Sequence, residues 1–222
     1  MAWLEPLEPD MVVLDVACGA AHAAEQAAPH VRQVIGLDLT PELLAIGAAR
    51  LREAGITNVV LQEGNAAELP FVDGSFDLVM CRGALHHFPR PEPAVAEMAR
   101  VCRPGGRVVL ADMVAPSPDV REAFDEVHRL LDPSHAGVLL EAEIAELMRS
   151  TVGPLSYAET TDPFTIPVDH IFTDTADRAA VTAALDAELG GGPATGFEPV
   201  ADGDQVRVSF TNTVVHGTRV PN

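Results

Sequence analysis

The chain has no lysine: all fourteen of its basic residues are arginine. Without a lysine ammonium there is neither a Walker-type grip on a triphosphate nor an amine for Schiff-base chemistry. Bases are scarce altogether, fourteen against thirty-three acids, which leaves a net charge of −19. A surface of that sign repels nucleic-acid backbones, so no nucleic-acid partner is expected. It mildly favours a cationic ligand, although most such carboxylates simply face solvent. Cysteine is limited to Cys18, Cys81 and Cys102, far apart and without C-x-x-C spacing. They are expected to be reduced, buried thiols, and no metal is expected. No apolar run is long enough to span a bilayer, so no membrane insertion is expected. The opening Met1-Ala2-Trp3-Leu4-Glu5 lacks the basic-then-apolar layout of a secretory leader. These features lead to the expectation of a cytoplasmic protein.

What is present is the content of a globular enzyme. At 222 residues with 47% hydrophobic content, one well-buried core and one domain are the expectation. Its organising stretch is Val12-Val13-Leu14-Asp15-Val16-Ala17-Cys18-Gly19-Ala20-Ala21-His22. A β-branched apolar run reads as a buried strand, and it passes through very small residues into an Ala-rich helical pattern. Small side chains there let backbone N–H groups approach a ligand at a helix start. The G-x-G-x-x-G of a dinucleotide site is missing, which argues against a nicotinamide dehydrogenase. A strand-end acid followed by small residues points instead to a cofactor with an adenosine and an amino-acid tail.

Further strands and helices alternate along the chain. Val34-Ile35-Gly36-Leu37-Asp38 is a second strand ending in an acid, about 20 residues past the turn, suited to the two hydroxyls of a ribose. Asp38 also reads as the acid before a helix over 41–54, which Thr40 caps, Pro41 opens and Gly55 ends. A third strand covers 59–62 and a fourth 76–81, and a helix follows from Pro91. A fifth strand, over 107–112, leaves the turn Arg103-Pro104-Gly105-Gly106. Beyond it, helices are expected over 116–131, 141–150 and 174–189, a strand over 156–166 and a closing strand over 205–215.

Five segments in this order resemble the class I S-adenosylmethionine-dependent methyltransferases. Residues 13–21 resemble their V-L-D-x-G-x-G-x-G motif, with Ala17 and Ala21 standing where glycines are usual. An alanine forced to positive φ at either position costs roughly 1–2 kcal/mol. Gly64-Asn65-Ala66-Ala67-Glu68-Leu69-Pro70-Phe71 is similar to G-D-A-x-x-L-P-F, with Asn65 in place of the acid. Ser75-Phe76-Asp77-Leu78-Val79 matches S-F-D-x-V, Leu85-His86-His87-Phe88 matches L-x-H-hydrophobic, and Cys102-Arg103-Pro104-Gly105-Gly106 ends in the family's P-G-G turn. Within the class, the likeness is greatest to the ubiquinone/menaquinone-biosynthesis-like enzymes that act on small molecules.

The resemblance implies an α/β, Rossmann-like fold. Its sheet has seven mostly parallel strands in the order 3-2-1-4-5-7-6, the last antiparallel, with helices on both faces. It implies one domain over 1–222, with a cofactor-binding half over 1–113 and substrate-side helices and closing strands over 114–222. S-adenosylmethionine is the implied cofactor. Asp15, Ala17, Cys18 and Gly19 would meet it at the first turn, and Asp38 and Leu39 at the second strand. Asn65 and Ala66 would meet it at the third strand, and Arg82 and Gly83 at the fourth. Arg82 would pair with the cofactor carboxylate, unless it makes a surface salt bridge. Asn65 is either an adenine contact or an Asx-turn residue.

His86 and His87 are the candidate catalytic bases, since neutral imidazole titrates in the useful range. His86 is expected to face substrate and His87 to take a structural or cofactor-side role. His128, Asp132 and His135 are candidate substrate contacts, although a capped helix end explains Asp132 and Ser134 equally well. The expected activity is methyl transfer to a small organic acceptor, at carbon or oxygen ahead of nitrogen. The alternative is a non-catalytic S-adenosylmethionine-binding module. Only about a dozen residues precede the first strand, so the site is expected either to be more open than is usual for the family or to be covered by the C-terminal half or by a partner subunit, as in a homodimer.

Overall fold

Runs of β-branched and aliphatic residues build a sheet through the centre of the protein. A computed structural model describes residues 2–220. In chain order the first half holds β1 (Val12–Val16), α1 (His22–Ala27), β2 (Gln33–Asp38), α2 (Pro41–Glu53), β3 (Val59–Glu63), β4 (Phe76–Arg82), α3 (Glu92–Val101) and β5 (Cys102–Val114). The second half holds α4 (Arg121–Leu131), α5 (Glu141–Thr151), β6 (Leu155–Thr160), β7 (Phe164–Pro167), α6 (Arg178–Leu189), β8 (Val200–Asp202) and β9 (Gln205–Thr218). No helix among the described residues is long and apolar enough to cross a membrane.

Strands run in the order β3-β2-β1-β4-β5-β9-β6, the first five mutually parallel and β9 antiparallel to both its neighbours. That is the expected doubly wound order, with the final strand inserted in reverse. The strand count differs from seven. β7 and β8 are extra, and both pair with the first half of β9, at residues 205–210. A fourteen-residue β9 makes this possible: its second half, 211–218, lies against β5. The strand expected over 156–166 is accordingly two strands with a break at 161–163. The last helix is also shorter than expected, because Asp177, not Thr173 or Asp174, caps it by accepting the Ala180 N–H at 3.0 Å.

Alternation along the buried strands sends neighbouring side chains to opposite faces. Leu14, Val79, Val108 and Leu110 pack with Val95 and Met98 of α3 and Ile144 and Met148 of α5. Val13, Val34, Leu78, Met80 and Val109 pack with Ala24 and Ala27 of α1 and Leu51 of α2. Helices therefore cover both faces. A third apolar cluster joins α4 and α6 to the β7 end of β9, where Phe124 stacks on Phe197 at 4.4 Å between ring centroids.

Candidate functional site

The carboxyl ends of β1 to β4 open onto one cavity of about 560 Å³. That lies within the ordinary range for a small-molecule site, and at the sheet edge where such folds bind ligands. Its wall is assembled strand by strand. Ala17 and Gly19 follow β1, and Asp38, Leu39 and Thr40 close β2. Gly64, Asn65, Ala66 and Ala67 follow β3; Gly83, Ala84, His87, Phe88, Pro89 and Arg90 follow β4. Leu43 of α2, Ala94 of α3 and Ser134 after α4 complete it, together with Leu37.

The turn after β1 is left-handed at three places: Ala17 (φ 53°), Gly19 (φ 51°) and Ala21 (φ 60°). Both alanines thus hold the conformation that glycine would adopt freely. Ala21 is buried, so its methyl is compensated by packing, whereas Ala17 is only partly buried and borders the cavity. Ala17→Gly is expected to stabilise the fold by about 1 kcal/mol, the relief of left-handed strain less the extra freedom glycine gains when unfolded. Urea unfolding of the two proteins measures it, and a loss of stability would contradict the strain.

Asp38 ties this turn to β2. Its Oδ2 accepts the Gly19 N–H at 2.7 Å and its Oδ1 the Thr40 N–H at 2.9 Å. Thr40 stands at the N-cap of α2, as expected, but its side chain makes no capping bond. Asp15 and Cys18 do not reach the cavity wall. Cys18 folds its side chain over Gly36, where an added Cβ would lie 2.9 Å from the Cys18 sulfur, so the strand needs a glycine there. Burial, with the nearby charges of Asp15 and Asp38, pushes the Cys18 thiol far up, keeping it protonated.

Asp15 lies beneath the turn, almost fully buried, with Oδ2 accepting the Ala24 N–H at 3.0 Å. Burial pushes its carboxyl up to about 7, against the Ala24 hydrogen bond and the charge of Arg82. A folded-state value above the unfolded one gives stability that is full at low pH and is lost as pH rises from about 4 through about 7. Asp15→Asn keeps an oxygen for Ala24 and removes that loss. Its advantage over the native protein should grow from near zero at about pH 4 to on the order of 2–4 kcal/mol at about pH 8. Unfolding measured at both ends of the range checks this, and a gain indifferent to pH would count against it.

Arg82 is likewise absent from the wall; its guanidinium lies over the Trp3 ring at 5.8 Å. Leu39, Asn65, Ala66 and Gly83 do line the cavity. Asn65 is an Asx-turn residue, its Oδ1 accepting the Ala67 N–H at 2.9 Å. The amide's orientation is thereby set, and the oxygen keeps a second lone pair for the cavity.

Of the two adjacent histidines, His86, expected to face substrate, is turned away from the cavity, while His87 stands on the cavity side. His86 is buried, its Nδ1 donating to Asp112 Oδ1 at 2.6 Å, and it does not line the cavity. His87 does line it. The reason lies in β5: Asp112 Oδ2 accepts the Ala84 and Leu85 N–H groups at 2.9 and 2.6 Å, pulling this loop and the His86 ring inward. His87 is pushed below its ordinary pKa by burial first and then by His86 beside it, at 4.1 Å between ring centroids.

His128 and His135 are not at the wall either. They are stacked on one another at 4.2 Å behind His86, and His135 Nε2 meets Asp125 Oδ1 at 2.7 Å. Burial, with the neighbouring histidines, lowers His128 to about 3, so the ring stays neutral. Substrate contact by these two is therefore corrected to a buried place: α4 turns His128 toward Phe124 and Phe197 of the third core, and His135, after the helix, stacks on it. Asp132 is also off the wall; it accepts both the N–H and the hydroxyl of Ser134, and Ser134 reaches the cavity in its stead. No sequence spacing points to Ser134 or Arg90 as wall residues. Ser134 meets His87 across 47 positions of chain.

A parallel sheet with a left-handed small-residue turn, a second-strand acid and a third-strand Asn–Ala pair around one cavity defines a class of protein: the doubly wound α/β domains that bind a ligand beyond the carboxyl ends of their strands. The particular family follows from comparison. Residues 14–110 match the methyltransferase domain family. S-adenosylmethionine is the cofactor of that domain. The chain is 44% identical over 124 residues to an uncharacterized methyltransferase, YcgJ, of Bacillus subtilis, covering 55% of this chain and 49% of that protein. It is 38% identical over 126 residues to a demethylmenaquinone methyltransferase of Listeria welshimeri, covering 54% and 53%. In sequence the chain thus matches about half the length of these curated relatives. The crystal structure of YcgJ superposes with a TM-score of 0.83 and 27% identity over 97% of this chain and 94% of that one.

Proposed function

We propose that the chain transfers the methyl group of S-adenosylmethionine to a small organic acceptor, at oxygen or carbon. The observation that carries this reading is one cavity whose wall includes Asp38, the Asn65–Ala66 pair and His87. When bound, the cofactor supplies an electrophilic methyl group on a sulfonium. Each Asp38 oxygen accepts one backbone N–H and keeps a lone pair, which fits the two vicinal hydroxyls of a ribose. Asn65 Oδ1 is aimed by Ala67 and retains acceptor capacity for an adenine amino group, with Leu39 and Ala66 offering apolar surface beside it. Ala17 and Gly19 would hold the amino-acid tail. His87, Phe88, Arg90 and Ser134 would receive the acceptor, with His87 as the base where a proton must leave. A net charge of −19 supports attraction of a sulfonium cation.

Calorimetric titration of the full chain with S-adenosylmethionine and with S-adenosylhomocysteine tests the reading. One saturable site for each is the expected result, and the absence of heat or of protection against unfolding refutes it. The second reading, a binding module without catalysis, draws support from alanine at position 17, left-handed and on the wall where the tail would lie. Tight cofactor binding with no turnover across a broad panel of phenols, enols and amines would favour it.

A further inference from the structure

His87 Nδ1 lies 3.1 Å from Ser134 Oγ and 3.3 Å from the Ser134 carbonyl oxygen. Ser134 Oγ in turn lies 2.6 Å from Asp132 Oδ1, which also takes the Ser134 N–H at 2.9 Å. Chemistry decides where each hydrogen sits. A carbonyl oxygen only accepts, and an ionised carboxylate only accepts. Burial pulls the Asp132 carboxyl upward, but the hydrogen bonds from the Ser134 hydroxyl and N–H hold it below its usual value, so it is ionised at neutral pH. The single hydroxyl proton of Ser134 therefore goes to Asp132, and Oγ meets His87 as an acceptor. Both partners of Nδ1 are then acceptors. Nδ1 must carry the proton, and the neutral ring presents its Nε2 lone pair. His87 lines the cavity, and Nε2 has no hydrogen-bond partner among the described residues.

We propose that Asp132 and Ser134 are positioning residues that lock His87 in its Nδ1–H tautomer, so that its Nε2 lone pair serves an acceptor that must lose a proton on methylation, such as a hydroxyl, a phenol or an enol. This rests on the methyltransferase reading above. The step balances without a further reactant. The acceptor O–H bond breaks and its proton passes to His87 Nε2. The oxygen forms its bond to the methyl carbon as the carbon–sulfur bond breaks, with that electron pair left on sulfur. The single positive charge moves from sulfonium to imidazolium. The charged and titratable groups around His87 are His86 on its own loop, Asp112 of β5 behind it, His128 of α4, Asp132 through Ser134, and Arg90 on the same wall. Burial and His86 keep the ring neutral and ready to accept.

The tautomer is read directly from two-bond proton–nitrogen NMR spectra of the full chain without added cofactor, the His87 signals being those lost in His87→Gln. Nδ1–H with an unprotonated Nε2 is expected. Asp132→Ala frees the Ser134 hydroxyl to turn and donate to Nδ1, which should move the ring toward the Nε2–H form. Asp132→Asn, whose side-chain oxygen still accepts that hydroxyl, should restore Nδ1–H. On any phenolic acceptor that is turned over, Asp132→Ala should lower kcat about tenfold or more with KM little changed, and the asparagine variant should recover most of it. An Nε2–H ring in the native chain, or a tautomer indifferent to Asp132→Ala, overturns the proposal. The same samples titrated with S-adenosylmethionine separate the two readings. Failure to bind removes the methyltransferase reading and the acceptor class with it, while the tautomer still decides the positioning role.

Discussion

Asp112→Ala is expected to destabilise the protein by about 3–5 kcal/mol, the scale for stripping one partner from a buried, multiply bonded carboxyl group. The carboxyl accepts four hydrogen bonds: from the Ala84 and Leu85 N–H groups, from His86 Nδ1 at 2.6 Å, and from the Met113 N–H at 2.7 Å. Alanine leaves those donors without an acceptor in a site where Asp112 is only 4% exposed. A domain of ordinary stability has about 5–15 kcal/mol in hand, so the loss is a large share of the total. Asp112→Asn, which keeps one oxygen, should lose about half as much and remain folded. Urea unfolding measures both. A loss below about 1 kcal/mol for the alanine variant would mean that the loop after β4 does not depend on this carboxyl group.

The same bonds explain why the histidine pair was only half legible. Two adjacent histidines after a strand announce a site loop, because strand-end loops carry function in parallel sheets. Which ring turns inward depends on Asp112, in the next strand but 26 residues away, and no local periodicity encodes that. Ser134 is harder still. As part of Asp132-Pro133-Ser134 it has the look of a helix-end turn, and it is one: Asp132 does accept its N–H. Its contact with His87 exists only once the segment after α4 folds back, where the Ala136 N–H donates to the His86 carbonyl at 2.8 Å.

The first half of the fold was legible because its signals are local and repeated. Each of β1, β2 and β4 is an apolar run closed by a polar or small residue, and the Pro41, Gly55 and Pro104-Gly105-Gly106 punctuation marks the boundaries. The second half carries weaker punctuation. The alternation of β9 marks a strand but not its length or its four partners, so the short strands β7 and β8 had nothing in sequence to announce them. The apolar stripe of α2 misleads in a different way. Leu43 and Ile46 have the spacing of a core face, yet Ile46 is 52% exposed and Leu43 stands at the cavity. A helix that borders a binding site can spend apolar residues on a ligand face, and periodicity cannot separate that from a core.

Asp38→Ala should weaken S-adenosylhomocysteine binding by about 1–3 kcal/mol, or roughly 5- to 150-fold in Kd. Two effects combine in that number. One is loss of the acceptor for the ribose hydroxyls. The other is release of the Gly19 and Thr40 N–H groups, which loosens the turn after β1 that would hold the tail. A ligand lacking one hydroxyl separates them. The native protein should prefer S-adenosylhomocysteine to its 2′-deoxy analogue, and Asp38→Ala should lose most of that preference, because the missing contact is then missing on both sides. Were the carboxyl only a scaffold for the turn, the variant would bind both ligands more weakly and keep the preference intact. Asp38→Asn falls between the two, since one amide oxygen can accept either a backbone N–H or a hydroxyl in a given direction but cannot do the work of two carboxylate oxygens. An unchanged Kd in Asp38→Ala would place the ribose elsewhere, and with it the orientation of the cofactor along the ends of β1 to β4.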